Sequence, residues 1–138
     1  MNQKKILIVD DDKIVLESCK RVLEAENLKV TLVSNAQDAI EQLEKKYFDL
    51  MIMDVKMPEK DGVYILKKIR EKWPLDEWPE LPVLVMSGYP TSDTIHELKK
   101  RGTREFIPKP FTPDELLTAV QNALKRSEKH GKNQGSCN

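Results

Sequence analysis

The sequence predicts an α/β fold in which five short strands alternate strictly with five helices around one parallel sheet. Three observations predict it. Apolar runs of strand length occur five times. Between and after them lie stretches whose apolar residues recur at helical spacing. Three of the runs are apolar almost throughout, as strands are when both faces of a parallel sheet are covered.

The runs are "KILIVD" (5–10), "KVTLV" (29–33), "DLMIMD" (49–54), "PVLVMS" (82–87) and "EFIP" (105–108). After the first, Val15, Leu16, Cys19, Val22 and Leu23 mark one face of a helix over 13–26. Ala36, Ala39, Ile40 and Leu43 mark a second over 36–46, with Asn35 as its N-cap. Val63, Leu66 and Ile69 mark a third over 62–72. The fourth, 92–101, is weaker, with only Ile95 and Leu98 and a stop at Gly102. Leu116, Leu117, Val120 and Leu124 mark a fifth over 113–126, with Pro113 in its first turn.

The first, third and fourth strands are the most apolar and belong in the centre. The second alternates and the fifth is short, so both belong at edges. With right-handed crossovers, this selects the flavodoxin-like, doubly wound order 2-1-3-4-5. Residues 1–126 then form one domain. Residues 127–138, "SEKHGKNQGSCN", carry no apolar period and read as a disordered tail or the start of a linker.

Composition narrows the function. The 138 residues hold 23 Lys and Arg against 23 Asp and Glu. A net charge of zero gives no footprint for nucleic-acid binding by this chain alone. No apolar run approaches the ~20 residues that span a bilayer, so no membrane role is expected and the cytoplasm is the default. Cys19 falls on a helical stripe and Cys137 in the polar tail, so no structural disulfide is expected. His96 and His130 are isolated, without the spacing of a zinc site.

In doubly wound sheets, sites form at the carboxyl ends of the strands, beside the point where strand order reverses. There the first strand ends in Asp10, Asp11 and Asp12, and the third in Asp54. The fourth ends in Ser87, and Lys109 follows the fifth. Each alone has an ordinary explanation: acids cap helices, and lysines sit in solvent. Together they place several carboxylates, a hydroxyl and an ammonium on one sheet edge. Clustered carboxylates repel unless a cation joins them, and an all-oxygen site with few ligands suits Mg²⁺. A carboxylate so placed can act as a nucleophile toward a phosphoryl group.

The segments "ILIVDDD", "MIMDVKMPEKDG", "VLVMSGYP" and "FIPKPF" resemble the signature blocks of two-component response-regulator receiver (CheY-like) domains. The resemblance covers residues 4 to 126. It implies that Asp54 is the phosphoacceptor and that Asp10 and Asp11 form the acidic pair arranging Mg²⁺, with Asp11 the direct ligand. Lys56 would offer a backbone carbonyl to the metal, and Asp12 would be only a cap. Ser87 would hydrogen-bond a phosphoryl oxygen on activation. Phe106 would be the switch aromatic, and Lys109 the charge partner, with a cis bond to Pro110. Lys56 and Tyr89 would flank the path of the hydrolytic water and tune how long the phosphoryl group lasts.

The resemblance further implies a sensor histidine kinase or phosphotransfer protein as donor. A dimer or output partner would use the face formed by the fourth helix, fifth strand and fifth helix. Two features depart from the family's usual pattern. Phe106 lacks a hydroxyl, so a switch there rests on packing. The segment 71–82 is long and carries Trp73 and Trp78. The alternatives are a receiver-like interaction module that is not phosphorylated, and a Mg²⁺-dependent aspartyl phosphohydrolase. The second usually needs another aspartate two residues after the nucleophile, where this chain has Lys56.

Overall fold

The structure is a computed structural model and describes residues 3–55, 62–72, 81–88, 91–100 and 103–136. Its elements are β1 (Lys5–Val9), α1 (Lys13–Glu24), β2 (Lys29–Val33), α2 (Ala36–Lys45) and β3 (Leu50–Asp54). There follow α3 (Gly62–Lys72), β4 (Val83–Ser87), α4 (Ser92–Lys100), β5 (Thr103–Pro108) and α5 (Pro113–Ser136). All four strand pairings are parallel and the order is β2-β1-β3-β4-β5. Fold class and strand order are those read from the sequence.

The alternation of side chains along a strand divides the core in two. Ile6 and Ile8 of β1, Leu50 and Ile52 of β3, and Leu84 and Met86 of β4 pack with Leu16, Cys19 and Leu23 of α1. Leu116, Val120 and Ala123 of α5 complete that layer. The intervening residues, Leu7 and Val9, Met51 and Met53, Val83 and Val85, point the other way, onto α2, α3 and Leu98 of α4. Burying each such side chain contributes roughly 1.5–3 kcal/mol. β2 is only partly covered, as an edge strand should be.

Helix starts follow local chemistry. Asn35 Oδ1 accepts from the Asp38 amide at 2.8 Å, as its expected N-cap role requires. Asp12 caps α1 by accepting from the Ile14 amide at 2.9 Å. At α5, Thr112 Oγ1 accepts from the Glu115 amide at 3.1 Å, and Glu115 Oε1 accepts from the Thr112 amide at 2.8 Å. That reciprocal pair around Pro113 is a capping box. Asn27 takes a left-handed conformation at φ 64° in the turn after α1, a region asparagine tolerates.

Beyond its apolar stretch the backbone continues as α5 to Ser136. The apolar period does stop near Leu124. Extending a helix already nucleated and anchored costs far less than starting one, so polar residues can prolong it.

Candidate functional site

The site is built by continuing one stripe of the sheet. Ile6 and Ile8 face α1 and α5, and the next residue of that parity is Asp10. Leu50 and Ile52 do the same and lead to Asp54; Ile107 leads to Lys109. Three strands thus end their apolar stripe on a charged residue at neighbouring positions. Asp10 is 0% exposed and Asp54 7%. Lys109 Nζ donates to Asp10 Oδ2 at 2.9 Å and to Asp54 Oδ2 at 3.0 Å. The other Asp10 oxygen, Oδ1, accepts from the Asp12 amide at 2.9 Å.

Burial pushes the Asp10 carboxyl above the usual carboxylate range, against the opposing pull of Lys109 and the Asp12 amide. Burial alone would lower the Lys109 ammonium, but its hydrogen bonds to Asp10 and Asp54 win and raise it. Beneath the site, burial pushes the Cys19 thiol up to about 11, with Asp10 adding to the shift. Cys19 is therefore a protonated core residue at neutral pH.

Asp10, Asp11 and Asp54 each offer one carboxylate oxygen, and these lie within 4.8 Å of one another. The residues fit a divalent cation: all donors are oxygens, one carboxylate is fully buried and one, Asp11, is exposed to solvent. That donor set suits Mg²⁺, which takes few carboxylates and keeps waters. Asp12 does not join the group; its carboxylate is spent on α1.

Ser87 lies on the opposite stripe, 4% exposed, at the end of β4. Its carbonyl accepts from the Lys109 amide at 3.0 Å, tying the end of β4 to the lysine. Phe106 is half-buried against the core layer of α2, α3 and α4. It pairs in register with Val85, two residues before Ser87. Ser87 and Phe106 are thus diagonal neighbours on one face of the sheet. The Lys109–Pro110 bond is cis, as the resemblance implied. Lys56, Tyr89, Trp73 and Trp78 lie outside the described residues.

One feature escaped the sequence reading. Beside Lys109 a cavity of about 470 Å³ opens between α1 and the β5–α5 turn, lined by Ile14, Val15, Ser18, Pro110 and Phe111. Ile14 is 77% exposed there. The available signal was an isoleucine one position off the apolar stripe of α1, next to the acidic run.

A model of the response regulator receiver domain matches residues 6–121. The chain belongs to the response-regulator receiver family. This receiver is 37% identical over 124 residues to the hydrogenase transcriptional regulatory protein HoxA of Bradyrhizobium diazoefficiens, an alignment covering 89% of this chain and 24% of that protein. It is 30% identical over 124 residues to the DNA-binding transcriptional regulator NtrC of Escherichia coli K12, covering 90% and 25%. The receiver therefore spans about a quarter of the length of the curated relatives it matches. Among solved structures, a CheY-like receiver domain protein from Methanospirillum hungatei JF-1 superposes with TM-score 0.84 at 29% identity, covering 94% of this chain and 99% of that one. NtrX from Brucella abortus, solved in complex with ADP, gives TM-score 0.84 at 26% identity, covering 96% and 30%.

Proposed function

We propose that this receiver is a phosphoaccepting switch of a two-component phosphorelay, with Asp54 as the acceptor. The observation that carries the reading is the contact of Lys109 with both Asp10 and Asp54 inside a three-carboxylate cup. An Asp54 oxygen would attack phosphorus in line. The new O–P bond replaces the N–P bond of a donor phosphohistidine, whose imidazole leaves and takes up a proton. Lys109, already within 3.0 Å of Asp54 Oδ2, is placed to neutralise charge on the transferring group. Asp11 and Asp54, with the Lys56 carbonyl, would hold Mg²⁺, and Asp10 would orient the site from behind. Bound there, Mg²⁺ would supply charge neutralisation on the phosphoryl oxygens.

The donor would be a histidine kinase or phosphotransfer protein, meeting the chain in the cytoplasm. Among the described residues no helix is long and apolar enough to cross a membrane. A donor reaching Asp54 must cover the rim of the cup, and exposed Ile14 gives that rim an apolar foothold. After transfer, Ser87 would move to a phosphoryl oxygen and Phe106 would turn inward. The α4–β5–α5 face, used by an output partner or a second copy, would change with them. Only Leu98 anchors α4 as a fully buried residue, which suits an element that shifts. Residues 127–138 would serve as the start of a linker.

The test is labelling with acetyl phosphate and Mg²⁺, with the adduct mapped by mass spectrometry. Label is expected on Asp54 and absent from Asp54→Asn; undiminished label in that variant would overturn the assignment. Lys56 and Tyr89 are expected to slow hydrolysis. Lys56→Asn with Tyr89→Glu should lose phosphate about tenfold faster, a change of ~1.4 kcal/mol in the barrier. A double variant no faster than wild type would defeat that tuning role alone.

A further inference from the structure

Asp11, the solvent-exposed carboxylate of the cup, makes no side-chain hydrogen bond or ion pair among the described residues. Its two neighbours in the chain are both fastened. The Asp10 amide donates to the Val33 carbonyl at 3.2 Å. The Asp10 carboxylate is held by Lys109 at one oxygen and by the Asp12 amide at the other. Asp12 is fastened at three atoms. Its amide donates to Asp10 Oδ1 at 2.9 Å, its side-chain Oδ1 accepts from the Ile14 amide at 2.9 Å, and its carbonyl accepts from the Leu16 amide at 3.1 Å. The bond between the Asp10 side chain and the Asp12 amide closes a small ring with Asp11 at its middle. That ring sets the backbone from which Asp11 reaches the cup.

An aspartate that caps a helix is ordinary. Here the cap and the ring share one residue. Asp12 is extended, at φ −95° and ψ 110°. The amide that reaches Asp10 and the side chain that reaches Ile14 leave the same α-carbon region. Releasing the side chain from α1 therefore loosens the turn that presents the amide. Asp10 is 0% exposed, so an Oδ1 deprived of that amide has no water to replace it. The disturbance passes to two carboxylates at once: Asp10 loses its fixed orientation, and Asp11 loses its fixed backbone. Mg²⁺ demands near-octahedral geometry and suffers from such displacement, whereas Ca²⁺ accepts irregular sets of oxygens. We infer that Asp12 is a positioning residue for the metal site, acting through its cap and the Asp10–Asp12 ring rather than through its charge. The inference rests on the reading of the cup as a Mg²⁺ site and does not depend on Asp54 being the acceptor.

The test is calorimetric titration of the 138-residue chain with Mg²⁺ and, separately, with Ca²⁺. Asp12→Ala and Asp12→Gly both remove the accepting oxygen. Glycine is itself well tolerated at a helix N-cap, so the second variant keeps the fold, which circular dichroism checks. Each should bind Mg²⁺ about tenfold more weakly than wild type, the loss typical when a group that orients a metal ligand is removed. Ca²⁺ affinity should fall by less than about threefold, so the preference between the two ions shifts away from Mg²⁺. Asp12→Asn and Asp12→Ser keep an accepting oxygen at the cap and discard the charge. Both should bind Mg²⁺ within about twofold of wild type. If they bind as weakly as Asp12→Ala, Asp12 acts by its charge and the inference is overturned. Wild-type affinity in Asp12→Gly, or equal losses for Mg²⁺ and Ca²⁺, reduces Asp12 to a helix cap and also overturns it. A wild type that binds no Mg²⁺ overturns the metal reading and this inference together. Normal binding by wild type with unchanged binding by Asp12→Gly counts against the positioning role alone.

Discussion

The Lys109 ammonium donates to Asp54 Oδ2 at 3.0 Å across 55 residues of sequence, and to Asp10 Oδ2 at 2.9 Å across 99. One lysine, itself largely shielded, thus balances two buried carboxylates. The lysine is both a structural cation and the charge nearest the proposed acceptor, so its removal should be felt in stability as well as chemistry.

Lys109→Met should destabilise the metal-free domain by about 1–3 kcal/mol, because it leaves Asp10 buried with like charge beside it. Urea denaturation in chelator gives the number. Adding Asp10→Asn should cost less than Lys109→Met alone predicts, since the neutral amide no longer needs the ammonium. Strictly additive losses would show that the two groups are not coupled.

The pH dependence follows from two raised values. Lys109 is raised above 10.5, so its contribution is fully present below that value and is lost as pH rises through the higher folded value. The stability gap between wild type and Lys109→Met should therefore close in strong alkali. Asp10 is raised above 3.8, so its contribution is present in acid below that value and is lost as pH climbs through the folded value. Wild type should accordingly gain on Asp10→Asn as pH falls from neutrality into acid. A gap that stays constant across either range would contradict the burial argument.

Asp11 is the exposed member of the carboxylate group. Asp11→Asn should raise metal-free stability by a few tenths of a kcal/mol through relief of repulsion. It should also flatten the rise in melting temperature with Mg²⁺. For wild type, saturation near 100 times the dissociation constant stabilises by about 2.7 kcal/mol. An Asp11→Asn curve that responds to Mg²⁺ like wild type would remove Asp11 from the metal site.

Cutting after Arg126 should change stability by no more than about 0.5 kcal/mol, because the apolar stripe of α5 ends at Leu124. Helicity by circular dichroism should nonetheless fall, since α5 continues to Ser136. A loss of several kcal/mol would mean that the extension packs on the domain.

Much of this was legible in the chain. Apolar runs of strand length, alternating with helical stripes, determine five strands and five helices, because burial on two faces demands that pattern. The acids at 10, 11 and 54 and the lysine at 109 could be placed at one sheet edge, because parallel strands all end at the same side. Asn35 could be read as a cap from its residue type and position alone. Tertiary structure decided which acids share the lysine. Asp10 and Asp54 do because they continue the same stripe as Ile8 and Ile52. Asp12, also from that acidic run, turns back to cap α1. It decided that Ser87 and Phe106 lie on the opposite face, since strand parity fixes sides only once register is known. It also decided how far α5 runs: apolar period reports where a helix is buried, and a helix outlasts its buried face when polar residues merely propagate it.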